Sequence, residues 1–155
     1  GMIFDIQGKN EKAMEYYNKN LEIKKVLRDS LGISNILNRI GTIFDKQDRY
    51  DEALKYYFNS LEIANKINDK EQEALCRNNL AVVYYKKGEI NEAIKELEKA
   101  IKLVPKDPII AEHLGDAYLK NSKKDRALAM YEKALKLDPD KKLLKEKIKM
   151  IKESK

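Results

Sequence analysis

Residues 40–44 read Ile-Gly-Thr-Ile-Phe, and the same frame returns as Leu-Ala-Val-Val-Tyr at 80–84 and as Leu-Gly-Asp-Ala-Tyr at 114–118. An alanine follows nine residues after each frame, and larger apolar residues come four and eight residues after that alanine. A truncated copy opens the chain, with Phe4 in the position of Phe44. The frame therefore recurs at intervals of 40, 40 and 34 residues. Periods of this length are typical of solenoids, in which each unit buries its apolar face against its neighbours.

Apolar residues within each copy recur at helical intervals of three and four, which predicts a pair of helices, A and B. The predicted A and B helices span 31–46 and 51–67 in the second unit, 70–87 and 91–103 in the third, and 108–121 and 125–137 in the fourth. The first unit is expected to retain only the end of helix A, in 1–7, before helix B in 10–27. A final helix is predicted over 141–152.

Turn and cap residues mark the boundaries of these helices. Gly8 and Gly88 are placed to end an A helix because glycine reaches the left-handed conformation at low cost, and Asp48 holds the same position less favourably. Asn10 and Ser30 are candidate caps. The predicted units are a partial repeat at 1–30, full repeats at 31–69, 70–107 and 108–140, and a capping helix at 141–155, all in one continuous domain.

Composition favours long helices and no membrane segment. Charged residues make up 37% of the chain and apolar residues 43%, with three prolines and six glycines. No run of about 18 apolar residues occurs, and the first residues become acidic too soon for a signal peptide. The single cysteine, Cys76, cannot form an internal disulfide. These features predict a cytoplasmic protein.

The net charge of +6 raises the question of nucleic-acid binding. Residues 1–140 carry 25 Lys+Arg against 24 Asp+Glu, whereas residues 141–155 carry seven lysines against two glutamates. This distribution argues against nucleic-acid binding as the main function, and the final helix is interpreted as a solvated cap over the last apolar surface. The alternative is an RNA or membrane-surface contact through Lys141, Lys142, Lys145, Lys147, Lys149 and Lys152.

The repeated residues resemble the tetratricopeptide repeat (TPR) family over essentially the whole chain. The fourth unit carries the 34-residue pattern in Leu114, Gly115, Tyr118, Ala127, Tyr131, Ala134 and Pro139, with Ala111 in place of the leading tryptophan. The third unit matches through Leu80, Tyr84, Gly88, Ala93, Leu97, Ala100 and Pro105. The 40-residue spacing is similar to the longer-repeat branch found in kinesin light chains, spindle-orienting G-protein regulators and bacterial peptide-pheromone receptors.

This resemblance implies an all-α, right-handed superhelix, closed by a C-terminal capping helix. It also implies a non-enzymatic scaffold that binds a protein or an extended peptide in its concave groove, with side-chain amides often holding the ligand backbone. A second interpretation is a regulatory peptide sensor that belongs to a larger protein with an effector region.

The A helices are expected to line the concave face, where steps of three and four place side chains on one helical face. The predicted peptide-binding residues are Asn35, Asn38, Thr42, Asp45, Asn78, Val82, Tyr85, Glu112 and Asp116, and the equivalent positions hold Met2, Asp5, Leu75, Ile109 and Leu119. Asn38 and Asn78 lie one period apart, so stacking is expected to bring them close. An amide both donates and accepts, which suits a peptide backbone. The alternative is that these amides solvate an exposed face or bond locally.

Other kinds of site find little support in the sequence. The TPR groove that clamps the C-terminal carboxylate of chaperone tails uses lysine, asparagine and arginine; Asn79 matches one position, but Ile109 and His113 stand where lysine and arginine are expected. His113 is the only histidine, and no metal-binding spacing or phosphate loop surrounds it. His113 is interpreted as a packing or rim residue and Cys76 as a buried thiol. No catalytic residue, metal or cofactor is predicted.

Two further expectations concern packing. The first unit lacks most of helix A, so either the chain is excised from a longer protein, which we favour, or Gly1 is a cloning remnant before Met2. The incomplete unit is expected to promote self-association. Gly115 is expected to lie where helix A closely meets its partner, so that Gly115→Leu destabilises by about 1–3 kcal/mol through overpacking.

Overall fold

The computed structural model describes residues 10–153, and in that range it contains α-helices and no strand. The helices are α1 (Asn10–Val26), α2 (Ser30–Lys46), α3 (Tyr50–Lys66), α4 (Lys70–Lys87), α5 (Ile90–Leu103), α6 (Pro108–Lys120), α7 (Lys124–Leu137) and α8 (Lys142–Glu153). Predictions that involve Gly1, Met2, Phe4, Asp5 and Gly8 lie outside the described residues.

Left-handed residues end the helices at a regular interval. Arg28, Asp48, Asn68 and Gly88, which are 20 residues apart, have φ angles of 53°, 57°, 54° and 81°. Asp48 therefore adopts the conformation expected from its alignment with Gly88, although this conformation is more strained for aspartate than for glycine. Ser122 repeats this turn in the fourth unit with φ 59°.

Aspartate side chains cap the A helices. Asp29 accepts a hydrogen bond from the backbone N–H of Gly32, Asp69 accepts one from Gln72, and each satisfies a donor that the first helical turn leaves free. Ser30, one of the candidate caps, lies inside α2. Asn10 likewise belongs to α1 rather than capping it, and its Oδ1 is buried without a hydrogen-bond partner.

Consecutive helices pack into a right-handed superhelix of A–B pairs. Alanines at the B-helix positions Ala13, Ala53, Ala93 and Ala127 are fully buried, which lets the paired backbones approach closely. Contacts between α2 and α4, and between α4 and α6, bring the A helices side by side. We call the surface formed by α2, α4 and α6 the A-helix wall.

The final helix covers the end of the core as predicted. Leu144 is fully buried and Ile151 is 5% exposed, and Ile148 packs against the same cluster. Through residues 10–153, no helix is long and apolar enough to cross a membrane.

Candidate functional site

The nine predicted peptide-binding residues all lie on α2, α4 and α6, but they differ in accessibility. Asn35 and Tyr85 are exposed, Thr42, Asp45, Val82, Glu112 and Asp116 are half-buried, and Asn38 and Asn78 are only 7% and 8% exposed. The idea that the two asparagines solvate an exposed face is therefore wrong. The hydrogen-bond partners of Asn38 and Asn78 therefore determine what these two side chains can do.

Each of the two predicted asparagines forms a side-chain hydrogen bond to the neighbouring A helix. Asn79 donates through Nδ2 to Oδ1 of Asn38 at 3.0 Å, and Oδ1 of Asn78 lies 2.8 Å from Nδ1 of His113. Asn38 and Asn78 occupy equivalent positions in successive repeats, and so do Asn79 and His113. Each bond therefore joins an asparagine of one repeat to the position that follows the equivalent asparagine in the next repeat. We call these bonds the amide rungs. They engage only the amide oxygens of Asn38 and Asn78.

His113 donates within the second amide rung. Its partner, Oδ1 of Asn78, can only accept, so Nδ1 of His113 carries the proton. Burial lowers the pKa of His113, although the carboxylates of Asp116 and Glu112 oppose the change. A neutral imidazole therefore bridges α4 and α6, which is a more specific role than the packing or rim position predicted for it.

The three predicted carboxylates of the wall all form ion pairs. Asp45 binds Nζ of Lys86 through both oxygens at 2.7 and 2.9 Å. Glu112 lies 2.7 Å from Nζ of Lys141, and Asp116 lies 2.7 Å from Nζ of Lys147. Burial disfavours the charged form of Glu112, but the hydrogen bond from Lys141 and the charges of Lys141 and Lys147 together outweigh it, so the pKa of Glu112 is lowered.

The final helix therefore borders the A-helix wall and is tied to it by ion pairs. Lys141, just before α8, and Lys147, within it, reach back to carboxylates of α6, and Lys152 pairs with Glu132 at 2.9 Å. Lys149 also lies 3.8 Å from Glu153, so four of the six lysines proposed for an RNA or membrane contact form ion pairs within the molecule. Sequence reasoning treated the lysine run as a solvated cap and missed these contacts.

Tyrosines of the B helices fix two of the polar wall residues. Tyr57 donates to Oγ1 of Thr42 at 3.2 Å, and Tyr131 donates to Oδ1 of Asp116 at 2.5 Å. Both rings lie against an A-helix glycine. A Cβ atom on Gly41 would lie 2.7 Å from the ring of Tyr57, and one on Gly115 would lie 2.6 Å from that of Tyr131.

The third unit replaces this arrangement with smaller apolar groups. Ala81 stands in the position of the glycines, Leu97 in that of the tyrosines, and Val82 in that of Thr42 and Asp116. Because leucine is shorter than tyrosine, it does not fill the same space. A pocket of about 280 Å³ lies here, and we call it the Leu97 pocket; its lining consists of Ala81, Val82, Tyr85, Lys86, Leu97, His113 and Asp116.

A second pocket of about 230 Å³ lies beside the N-terminal halves of α4 and α6, and we call it the Ile109 pocket. Its lining consists of Glu71, Ala74, Leu75, Asn78, Val104, Asp107, Ile109 and Ile110. Asn78 lines this pocket and its rung partner His113 lines the other, so the second amide rung separates the two. The wall at α4 and α6 thus offers two largely apolar pockets with a polar bridge between them.

Cys76 is a buried thiol, as predicted. It is fully buried and its Sγ lies 3.0 Å from Oγ of Ser60, while burial raises its pKa to about 11. Such a thiol is a poor nucleophile at neutral pH. Within the described part of the chain, no group of three or more His, Cys, Asp or Glu side chains is arranged to hold a metal ion.

Comparisons with known proteins agree on one family. Models of the tetratricopeptide repeat match residues 1–57, 32–106 and 78–142. No curated protein matches the chain in sequence.

Solved structures of low sequence identity share the fold. The first TPR domain of Spaghetti (RPAP3), bound to the HSP90 peptide SRMEEVD, superposes with a TM-score of 0.71 at 21% identity, covering 78% of this chain and 91% of that one. The Arabidopsis OM64 TPR domain gives 0.73 at 19% identity, with 81% and 99% covered. BtubC (BKLC) from P. vanneervenii gives 0.77 at 23% identity, with 88% and 59% covered.

Proposed function

Since this chain belongs to the tetratricopeptide repeat family, we propose that it is a non-enzymatic interaction domain that binds an extended peptide segment of a partner protein along its A-helix wall. TPR domains are protein- and peptide-binding scaffolds, and the RPAP3 domain of the same fold has an HSP90 peptide as its ligand. A free, buried Cys76 is in keeping with the reducing cytoplasm as the location.

The Leu97 pocket is the observation that carries this proposal. It is open on the wall, mostly apolar, and bordered by Tyr85, a residue that is 38% exposed and whose ring offers a rigid amphipathic contact. Pockets of this kind bury the anchoring side chains of a ligand, while neighbouring polar groups hold its backbone. Asn78 can supply such a group because its amide rung leaves Nδ2 as a donor.

The pocket can be filled by restoring the pair of residues found in the other units. The variant Ala81→Gly/Val82→Thr/Leu97→Tyr gives the third unit the residues at Gly41, Thr42 and Tyr57. We expect it to fold, because the second unit packs the same three residues. A displayed library of random peptides would be selected on the wild type and counter-selected on this variant.

Enriched peptides that bind the wild type and lose at least about tenfold in affinity for the filled variant support the proposal. Tyr85→Ala provides a second variant, with Phe58→Ala on α3 as its control, because Phe58 is exposed to a similar degree (46%) outside both pockets. Peptides that bind both pocket variants as tightly as the wild type would place the site elsewhere, and failure to enrich any peptide would remove the proposal. A peptide sensor within a larger protein would use the same wall and give the same result.

Self-association is a second proposal, and exposed apolar residues on the first helix favour it. Ile23, Val26 and Leu27 are 57%, 82% and 65% exposed and lie together at the end of α1. Burial of such side chains between two copies would be favourable by the hydrophobic effect. Light scattering should show a concentration-dependent dimer that Val26→Lys abolishes; a monomer at all concentrations would refute it.

A further inference from the structure

We propose that the wall recognises a peptide carrying a lysine or arginine side chain for the Ile109 pocket and an apolar side chain for the Leu97 pocket. This inference rests on the proposed function and adds the chemical class of its ligand. It follows from the different rims of the two pockets.

The Ile109 pocket combines an apolar floor with an acidic rim. Leu75 and Ile109, which are 43% and 51% exposed, provide apolar surface, and the carboxylates of Glu71 and Asp107 lie on the same lining. Among residues 10–153, neither carboxylate lies within ion-pair distance of a cation. Asp107 uses Oδ1 to cap α6 through the N–H groups of Ile109 and Ile110, at 2.8 and 3.0 Å, and this leaves its other oxygen for a ligand.

A lysine or arginine side chain matches both parts of this pocket. Its aliphatic stem can cover apolar surface while its charged head stays at the rim near the carboxylates. The chain as a whole is basic, but screening limits the reach of exposed charges to about 10 Å at 0.1 M salt, so the two local carboxylates decide the preference. Lys70 and Lys106 adjoin these carboxylates in sequence, so we expect the preference to be moderate.

The Leu97 pocket has no such free charge. Its charged lining residues, Lys86 and Asp116, are held by Asp45 and Lys147. Ala81, Val82 and Leu97 complete an apolar interior. An uncharged apolar side chain is therefore the group that enters without breaking an ion pair.

The distance between the pockets sets the spacing of the two anchors. The pockets are centred about nine residues apart along α4 and about five apart along α6, which corresponds to roughly 14 and 8 Å at the helical rise. An extended peptide covers such distances in about two to four residues, and side chains on the same face recur every second residue. The basic and apolar side chains are therefore expected two or four residues apart.

Between these anchors the ligand backbone passes the second amide rung. Asn78 is more than nine-tenths buried, lines the Ile109 pocket and has its Oδ1 engaged by His113. The group it can offer a ligand is its Nδ2 donor, which suits a peptide carbonyl. The rung thus supplies a backbone contact at the point where an extended chain would cross from one pocket to the other.

The peptides enriched in the library selection test this inference directly. We expect them to carry a lysine or arginine two or four residues from a large apolar residue. Replacing that basic residue by glutamine should weaken binding to the wild type about three- to tenfold, as for one or two partly exposed ion pairs. The affinities would be measured by fluorescence anisotropy with labelled peptides.

A matched pair of variants assigns the effect to the rim. In Glu71→Gln/Asp107→Asn the lysine and glutamine peptides should bind equally, and the asparagine retains the cap of α6. Glu15→Gln/Glu62→Gln makes the same change in net charge away from both pockets, and there the lysine peptide should keep its advantage.

Equal binding of the two peptides to the wild type, or a lysine advantage that persists in the rim variant, would overturn the basic preference. Enrichment of acidic peptides would overturn it as well. If the enriched peptides contradict the basic preference but still lose affinity for the variant with the filled Leu97 pocket, binding in the groove is supported and only the ligand class is wrong. If no peptide depends on the Leu97 pocket, the proposed function itself fails.

Discussion

Replacing Gly115 by alanine is expected to destabilise the protein, because the space for a methyl group is already filled. A Cβ atom would lie 2.6 Å from Cε1 and 2.7 Å from Cδ1 of Tyr131, whereas carbon atoms pack favourably at about 3.5–4.0 Å. The ring cannot easily give way, since Tyr131 is fully buried and its hydroxyl is bonded to Asp116. A shift of about 1 Å is therefore required somewhere in the fourth unit.

Two opposing effects determine how much stability the Gly115→Ala variant loses. Overpacking costs about 1–3 kcal/mol, and the change from glycine to alanine in a helix interior contributes up to about 1 kcal/mol of stability. We expect a net loss of about 1 kcal/mol for Gly115→Ala, and a larger loss for Gly115→Leu. For a protein of this size, 1 kcal/mol lowers the melting temperature by roughly 2–4 °C.

The third unit suggests the compensating change. It pairs Ala81 with Leu97, so Tyr131→Leu should relieve the clash created by Gly115→Ala. Thermal and urea unfolding of the two single variants and the double variant would give a coupling energy, expected to be about 1 kcal/mol in favour of the double variant. Stability of Gly115→Ala equal to or above the wild type, or strictly additive effects in the cycle, would refute the close packing.

Three further predictions concern single side chains. The free energy of unfolding should fall as the pH drops from 7 to 5, because the pKa of His113 in the folded protein is lowered from 6.5 and the unfolded chain therefore binds the proton first. The variant His113→Gln should remove this dependence of stability on pH, and an unchanged dependence would contradict the prediction. Cys76 should resist a thiol reagent at pH 8 until denaturant is added, since it is buried and its pKa is about 11; rapid labelling of the native protein would count against this. The double variant Asn38→Ala/Asn78→Ala should lower the free energy of unfolding by about 1–3 kcal/mol, because it leaves the amide of Asn79 and the ring of His113 without partners. The control Asn35→Ala, at an exposed position, should change it by less than about 0.5 kcal/mol. Equal melting temperatures for the two variants would show that the amide rungs do not stabilise the protein.

The helices could be predicted from the sequence because the residues that mark each helix boundary recur in every repeat. The left-handed turns at Asp48 and Gly88 coincide with that prediction, and the predicted helix bounds agree with the structure to within one or two residues at most ends. Apolar periodicity is sufficient here, since each helix buries one face against its neighbours in the chain. The buried face of α8, with Leu144 and Ile151, was predictable for the same reason.

The side-chain partners on the wall could not be predicted from the period alone. Equal spacing suggested that Asn38 would meet Asn78, but Asn38 bonds to Asn79, one residue further along. That offset depends on how successive A helices are displaced in the superhelix, which no single residue identity reveals. The contacts of Lys141 and Lys147 depend in the same way on the placement of the final helix.

The sizes of facing residues in the sequence indicate where the Leu97 pocket lies. Glycine faces tyrosine in the second and fourth units, and alanine faces leucine in the third, so the two positions change together within one chain. Aligning the units for size at facing positions, rather than for apolar character alone, would have located the pocket. Apolar patterns treat leucine and tyrosine as equivalent although their lengths differ.

The packing of each helix against its sequence neighbours has a consequence for how the chain assembles and comes apart. In residues 10–153 the extensive contacts join helices that are adjacent in sequence or separated by one helix. Native contacts of this kind close only short loops, so folding should be fast and should spread from whichever pair forms first. Under tension applied at its two ends, the molecule should lengthen in successive small steps, one helix pair at a time, rather than rupture in a single event.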